Sequence, residues 1–407
     1  MDVEIRPVTA EEFPDYLKSE HIPFGVQISD EEMKFQAPRF GQWNTLAAFE
    51  AGRIVATAGD WDMQLTVPGG REVHAPGVTA VAVLPTHRRR GLLTAMMRQQ
   101  LDTYRGRGEV VATLLAAESL IYGRFGYGWA TTSMAAELDR THGVFSDAVG
   151  EGVELQLLDK SEASKVLPDI FDQVRRRQPG EVTRPDGWWA EFFRDPEWMR
   201  EGAGERFYVV ARHGADAGFV AYRLKEGWND NLPGSTLRVE HVMATSPAPR
   251  AALWRYLLDV DLVATVRFEN IPLLDPMRWM LRDPRRLRTR TVSDWLWVRV
   301  VDVARALEAR CYRAADRLVL EVDDAFLPEN AGCYELDGGP DGARCRRTNA
   351  GPDLRLSVAA LGSAYLGGVS LASLAAAGRV EESTPGALAR ADLVFGSDVP
   401  PWCSTDF

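Results

Sequence analysis

The sequence predicts an α+β protein built on mixed β-sheets, and three observations carry that expectation. The run Val78-Thr-Ala-Val-Ala-Val83 is rich in small and β-branched residues, and a basic glycine turn and a long helical pattern follow it. The same succession of hairpin, strand, turn and helix recurs in the middle third. The last third then changes to alternating strand patterns separated by short helices.

Taken in order, Val-Glu-Ile near the N-terminus reads as a strand at once, with no secretory signal before it. Leu46 to Ala58 reads as two strands joined at Gly52. Val78–Val83 reads as a buried strand. From Leu92 to Tyr104 the apolar residues Leu92, Leu93, Met96, Met97, Leu101 and Tyr104 mark one buried helical stripe. In the middle third, Phe207–Tyr222 repeats the hairpin around Gly214, and Leu237–Ala244 repeats the strand. Ala251–Leu258 repeats the helix. The arginine row and glycine of the first turn are replaced by Pro247 and Pro249, which carry no N–H to offer an anion. Trp188, Trp189, Phe192 and Phe193 fall at helical spacing and read as core or inter-domain packing, or as part of a cleft wall. Trp295–Asp302 alternates as a strand, and 304–312 follows as a helix. Strands are expected at 318–322, 332–336 and 354–358, with a hairpin turn at Asp337-Gly-Gly-Pro. Ser357–Gly378 is uncharged, but its serines and glycines break any greasy surface. It reads as buried strand, turn and helix rather than a membrane span.

A chain of 407 residues suits two or three domains, and we expect limits at 1–150, 151–292 and 293–407. A net charge of −11 argues against nucleic acid as the main partner. It suits a cationic substrate if acids line a cleft, and simple solubility equally well. Cys311, Cys333, Cys345 and Cys403 form no C-x-x-C pair, and the histidines show no ligand spacing, so no metal site is expected. A reducing cytoplasm is the simplest setting.

The turn Pro85-Thr-His-Arg88-Arg-Arg-Gly91-Leu-Leu93 carries the chemistry. Backbone N–H groups at a glycine turn that opens a helix make an anion site, and arginines reinforce it. The turn alone also fits an exposed basic helix cap. No Gly-Lys-Ser/Thr follows, so it is not a Walker motif, and it is not G-x-G-x-x-G. It resembles the acetyl-coenzyme A motif of the GNAT N-acetyltransferases, with Leu93 in place of the usual small last residue. Arg-Arg-Gly-Leu-Leu is similar to the Eis-like subfamily.

A second segment, Ile121-Tyr122-Gly-Arg-Phe-Gly126-Tyr-Gly128, is similar to the same subfamily. The resemblance then covers the chain. It implies two GNAT-type mixed-sheet domains, the second degenerate, and a sterol-carrier-protein-like last domain. It also implies an acetyl-coenzyme A-dependent N-acetyltransferase of broad amine range, aminoglycosides included, acting at several positions and assembled as a hexamer. By that resemblance the main chain at Val81 and Val83 pairs with the pantetheine arm. Arg88, Arg89, Gly91 and Leu92 take the pyrophosphate. Tyr122 is the general acid, Gly123 lies near the oxyanion, and Tyr127 is the structural alternative. The resemblance also brings the C-terminal carboxylate, here of Phe407, to the active site. On chemistry alone an α-carboxyl near pKa ~3.5 is a weak base, and most termini fray. Asp406 beside it adds negative charge, and Phe24, Asp30, Glu31, Glu32 and Trp43 are candidates for the acceptor wall. Each of these five also reads as an ordinary surface or core residue. A protein lysine acetyltransferase is the in-class alternative, and a lipid-binding protein is the alternative from another class.

Overall fold

A computed structural model describes residues 3–146 and 150–407. The chain forms two compact units. The first comprises Met1–Thr131, Asp294–Pro401 and Thr405–Phe407; the second comprises Thr132–Ser293 and Trp402–Ser404. The strand expected at the N-terminus runs over Val3–Arg6, with Met1 and Asp2 outside the described residues.

The main sheet of the first unit has seven strands. Its spatial order is Val3–Arg6, Trp43–Glu50, Arg53–Trp61, Gly77–Val83, Val111–Leu115, Leu296–Val300 and Tyr127–Trp129. The first hairpin closes on Ala51 (φ 50°) and Gly52 (φ 74°), with Glu50 opposite Arg53. Two left-handed residues in succession give a turn whose twist matches the strands. Helix Leu92–Arg107 buries Met97, Leu101 and Tyr104 against Val78, and Leu92 and Met96 against Ala56 and Ala58. On the other face, helix Phe13–His21 donates the Tyr16 hydroxyl to the Ala58 carbonyl at 2.7 Å.

The second unit repeats the plan. Its order is Glu154–Leu158, Phe207–His213, Asp216–Lys225, Ser235–Ala244, Val263–Ile271, Thr132–Asp139 and Arg288–Asp294. Pro247 begins helix Pro247–Asp259, where a missing N–H costs the helix nothing. Trp188, Trp189, Phe192 and Phe193 lie on helix Asp186–Arg194 and pack with Phe171 and Tyr208 in that unit's own core.

The expected limits differ from the observed units at both ends. Thr132–Asp139 precedes the limit expected at 150, yet pairs with Val263–Ile271 in the second sheet. Leu296–Val300 follows the limit expected at 292, yet pairs with Val111–Leu115 and Tyr127–Trp129 in the first. Each sheet therefore takes the strand that linear order would give to its neighbour. The first limit abuts residues 147–149, which lie outside the described residues. Leu296–Val300 is buried along its whole length, because it runs inside a sheet covered on both faces.

In the carrier-like segment the sheet order is Gly342–Arg347, Gly332–Gly339, Asp316–Asp323, Leu354–Ser357 and Val380–Glu382. The uncharged run forms helices Val358–Ala364 and Leu371–Ala376 instead of a strand and one helix. Ser357 ends the preceding strand and caps the first helix through its hydroxyl, so the helix begins at once. Among the described residues no helix is long and apolar enough to cross a membrane.

Candidate active site

The site begins where two parallel strands part. Gly77–Val83 pairs with Val111–Leu115 only at Gly77 opposite Thr113 and Val78 opposite Leu114. On its other side the register shifts, with Thr57 opposite Ala82 but Gly59 opposite Thr79. The extra residue places Ala80 at φ 53°, a left-handed conformation that costs an alanine about 1 kcal/mol or more. The Thr57 hydroxyl donates to the Ala80 carbonyl at 2.8 Å and holds the bulge. A bulge re-aims the main chain, here at the mouth of the opening.

The turn comes next. Gly91 (φ 81°) precedes helix Leu92–Arg107, which has no side-chain cap and no acid in its first turn. The Leu92, Leu93 and Thr94 amides precede the first helical bond, from the Ala95 amide to the Gly91 carbonyl. Their dipoles favour an anion. Of the three arginines, Arg90 is structural. It donates to the Glu50 carboxylate, which also meets His87 Nε2 at 2.9 Å. Hydrogen bonds, from Arg90 above all and then from His87, hold the Glu50 carboxyl down at about 2. Arg89 adopts φ 62°, and among the described residues neither Arg88 nor Arg89 has an ion-pair partner. The turn therefore offers two guanidinium groups without an ion-pair partner among the described residues, Arg88 and Arg89.

Tyr122 ends helix Ser119–Tyr122 and is only 7% exposed. Desolvation, and secondarily the Glu118 charge, push its phenol up to about 12. Its hydroxyl has no hydrogen-bond partner among the described residues. Tyr127 meets the Tyr122 ring edge-on at 6.1 Å and is fully buried, with its phenol raised by desolvation, and it does not line the cavity that Tyr122 lines.

One cavity of about 540 Å³ joins these parts. Val81, Val83, Arg88, Arg89, Gly91, Leu92, Tyr122 and Phe24 all line it. Glu118, Ile121 and Arg124 line it too, and the sequence reading did not single these out. Gly123 lies just outside, its carbonyl accepting from the Gly126 amide. Asp30 is exposed at the start of helix Asp30–Gln36, away from the cavity. Trp43 packs edge-on against Phe13 and Tyr16 and at a tilt against Trp61 as a core residue. It borders a different depression of about 640 Å³ with Asp62, His74 and Glu109.

Phe407 is half-buried against the first residue of the bulged strand. A Cβ on Gly77 would stand 2.9 Å from Phe407 Cε2 and 2.8 Å from Met63 Sδ, so glycine there makes room for the last residue. Val78 faces helix Leu92–Arg107, so the alternate face met by Gly77, and with it the Phe407 ring, lies on the opposite side of the sheet. The Asp406 side chain reaches solvent but is walled by protein. Desolvation raises its carboxyl against a hydrogen bond with the Phe407 main chain. Sequence reasoning also missed Gly77 and Ala80. Gly77 carried a weak signal, a glycine at a strand end, whereas an alanine at positive φ leaves none.

Comparison with known proteins identifies the family. Residues 4–130 and 180–300 each match an Acetyltransferase (GNAT) domain family, and 303–404 match a Sterol carrier protein domain family. An uncharacterized N-acetyltransferase of Streptomyces coelicolor is 45% identical over 360 residues, covering 88% of this chain and 87% of that one. The N-acetyltransferase Eis of Mycobacterium tuberculosis is 35% identical over 361 residues, covering 87% of this chain and 86% of its own. The crystal structure of Eis1 from Mycobacterium abscessus superposes with a TM-score of 0.86 at 33% identity, covering all of both chains. A GCN5-related N-acetyltransferase from Anabaena variabilis shares the fold, with a TM-score of 0.85 at 19% identity. GNAT acetyltransferases use acetyl-coenzyme A, and the two GNAT domains and sterol-carrier domain expected from the sequence are all present. The chain belongs to the Eis-type GNAT N-acetyltransferases.

Proposed function

We propose that this N-acetyltransferase moves an acetyl group from acetyl-coenzyme A to amines of aminoglycosides and similar polyamines, at more than one position, in a ternary complex. One observation carries the reading. A single cavity is lined by the parted main chain at Val81 and Val83, two unpaired arginines, a free helix N-terminus and an unpartnered buried phenol. A pantetheine arm needs main-chain partners along an extended segment, and the strand beyond Val78 offers them. A pyrophosphate needs convergent donors, and Arg88, Arg89 and the amides at Gly91 and Leu92 supply them.

In the reaction the amine nitrogen attacks the thioester carbon, the carbonyl oxygen gains the charge, and the C–S bond then breaks. Main-chain N–H groups freed by the Ala80 bulge and near Gly123 would hold the oxyanion. The Tyr122 phenol donates toward the departing thiolate. The amine must lose a proton, and the Phe407 carboxylate assists or orients it. Phe24 and the acid at Asp406 face the acceptor. Asp30, Trp43, Asp406 and Phe407 do not line that cavity, so an acceptor-side role for any of them rests on the family resemblance. We extend the reading to a cytoplasmic hexamer, as the family resemblance implies.

A thiol-release assay across aminoglycosides, linear polyamines and a lysine-containing peptide tests the substrate class. Aminoglycosides and polyamines should turn over, with products carrying more than one acetyl group by mass. Turnover of the peptide alone would overturn this reading in favour of a protein lysine acetyltransferase. In the carrier-like segment a depression of about 640 Å³ is lined by Glu321, Asp323, Arg355, Arg379 and Glu381, a charged wall that does not favour an apolar lipid tail.

A further inference from the structure

The segment that carries Tyr122 rests on a buried ion pair that lies far from it in sequence. Arg299 sits in strand Leu296–Val300, opposite Tyr127. Both Arg299 and Asp324 have fully buried side chains, with Nη2 of the arginine 2.8 Å from Oδ2 of the aspartate. Asp324 also accepts from the Leu327 amide at 2.9 Å and from Asn330 Nδ2 at 3.0 Å, so its carboxylate is well satisfied. The guanidinium in turn lies flat under Gly126. A Cβ on that glycine (φ 86°) would stand 2.7 Å from Arg299 Cζ and 2.8 Å from Nε and Nη1.

Gly126 closes the short turn Gly123–Phe125 that follows Tyr122. The same turn is held from a second side, where the Phe125 ring meets Phe326 edge-on at 5.1 Å. Phe326 is two residues beyond Asp324, and its amide also bonds to that carboxylate. One carboxylate thus fixes both supports. A buried ion pair is weak evidence of stabilisation, because desolvation offsets most of its Coulomb energy, so its placement calls for another account. A phenol that must meet a leaving group needs its backbone fixed to well under 1 Å.

We propose that Arg299 and Asp324 are positioning residues, which hold the 119–128 segment so that the Tyr122 phenol stays aimed into the cavity. This rests on the acid role proposed above for Tyr122. It gives the carrier-like segment, from which Asp324 comes, a part in the first domain's chemistry.

The test uses the full chain with Asp324→Asn, which keeps the shape and removes the charge, and with Arg299→Lys. Asp324→Asn should lower kcat by roughly tenfold or more with the KM for acetyl-coenzyme A unchanged, and Arg299→Lys should lower it less. Hydrogen exchange over 119–128 should quicken in Asp324→Asn while the helix 92–107 keeps its protection. Placed in a Tyr122→Phe background, Asp324→Asn should cause little further loss, because both act through one hydroxyl. Unchanged exchange over 119–128, or a loss that simply adds to that of Tyr122→Phe, would overturn the proposal. Tyr122→Phe at full kcat would instead strike the acid reading, and the exchange data would still decide whether the pair fixes the segment.

Discussion

Removing the Tyr122 hydroxyl is the sharpest perturbation of the proposed chemistry. The phenol is pushed up to about 12 by burial, then by Glu118, whereas an ordinary thiol sits near ~8.5. Full proton transfer between groups separated by roughly 3.5 pH units would run uphill by about 4.8 kcal/mol at 1.36 kcal/mol per unit. The cavity that raises the phenol also desolvates the leaving thiolate and narrows that gap. The phenol's main contribution is then a hydrogen bond to a charged sulfur, worth about 1.5–3 kcal/mol. Tyr122→Phe should therefore lower kcat roughly ten- to hundredfold, with little change in the KM for acetyl-coenzyme A. The steady-state thiol-release assay reads both constants. The sign of the pH dependence follows from the raised value. The phenol stays protonated below its unfolded value near ~10, and both its proton and its contribution to stability are lost only as pH rises toward about 12. The wild-type rate should show no falling basic limb from Tyr122 below pH ~10. An unchanged kcat in Tyr122→Phe would refute the argument, as would a basic limb near pH 8 that the substitution abolishes.

Two further predictions test the remaining parts. Arg88→Ala with Arg89→Ala removes both free guanidinium groups at the turn, and each charged contact is worth about 1.5–3 kcal/mol. The KM for acetyl-coenzyme A should rise by a hundredfold or more while Arg90, tied to Glu50, keeps the turn folded; unchanged kinetics would remove the cofactor assignment. A few residues added after Phe407 should cut kcat strongly at an unchanged melting temperature, because the ring already fills the space over Gly77. A fully active extended protein would end the carboxylate role.

The sequence made the site legible where chemistry sits in contiguous residues. Arg88, Arg89, Gly91, Leu92 and Tyr122 were found because glycines, arginines and a tyrosine are locally conspicuous, and all five line one cavity. Trp43 stayed open between cleft and core because a large aromatic at the start of a strand looks the same whether it faces a cleft or packs edge-on against Phe13 and Tyr16. The partner of Arg90 was hidden because Glu50 lies 40 residues away. The Ala80 bulge was hidden for a different reason, since only pairing with Thr57 and Gly59 forces an alanine into a left-handed turn. The strand Leu296–Val300 was legible as a strand but not as a member of the first sheet. It read only as an alternating strand, and its pairing with Val111–Leu115 and Tyr127–Trp129 is what places it in that sheet.

That strand has a consequence for any attempt to isolate the catalytic domain. It pairs with Val111–Leu115 over five positions and with Tyr127–Trp129 over three. Cutting the chain at 150 would leave both neighbours with open edges, one beside the cavity and one carrying the end of the tyrosine segment. Leu296, Trp297, Val298 and Val300 are all buried, and each such side chain contributes about 1.5–3 kcal/mol. Their loss comes to roughly 6–12 kcal/mol, comparable with the whole stability of an ordinary domain, about 5–15 kcal/mol. A 1–150 fragment should therefore be unfolded or aggregated by circular dichroism and size-exclusion chromatography, although it contains every residue proposed for the cofactor. Adding a peptide that spans 294–302 in trans should restore helical signal in part, and thiol release should stay absent, since Asp324 and Phe407 are still missing. A soluble, active 1–150 fragment would show that the strand is an accessory and that the site is complete without the last third of the chain.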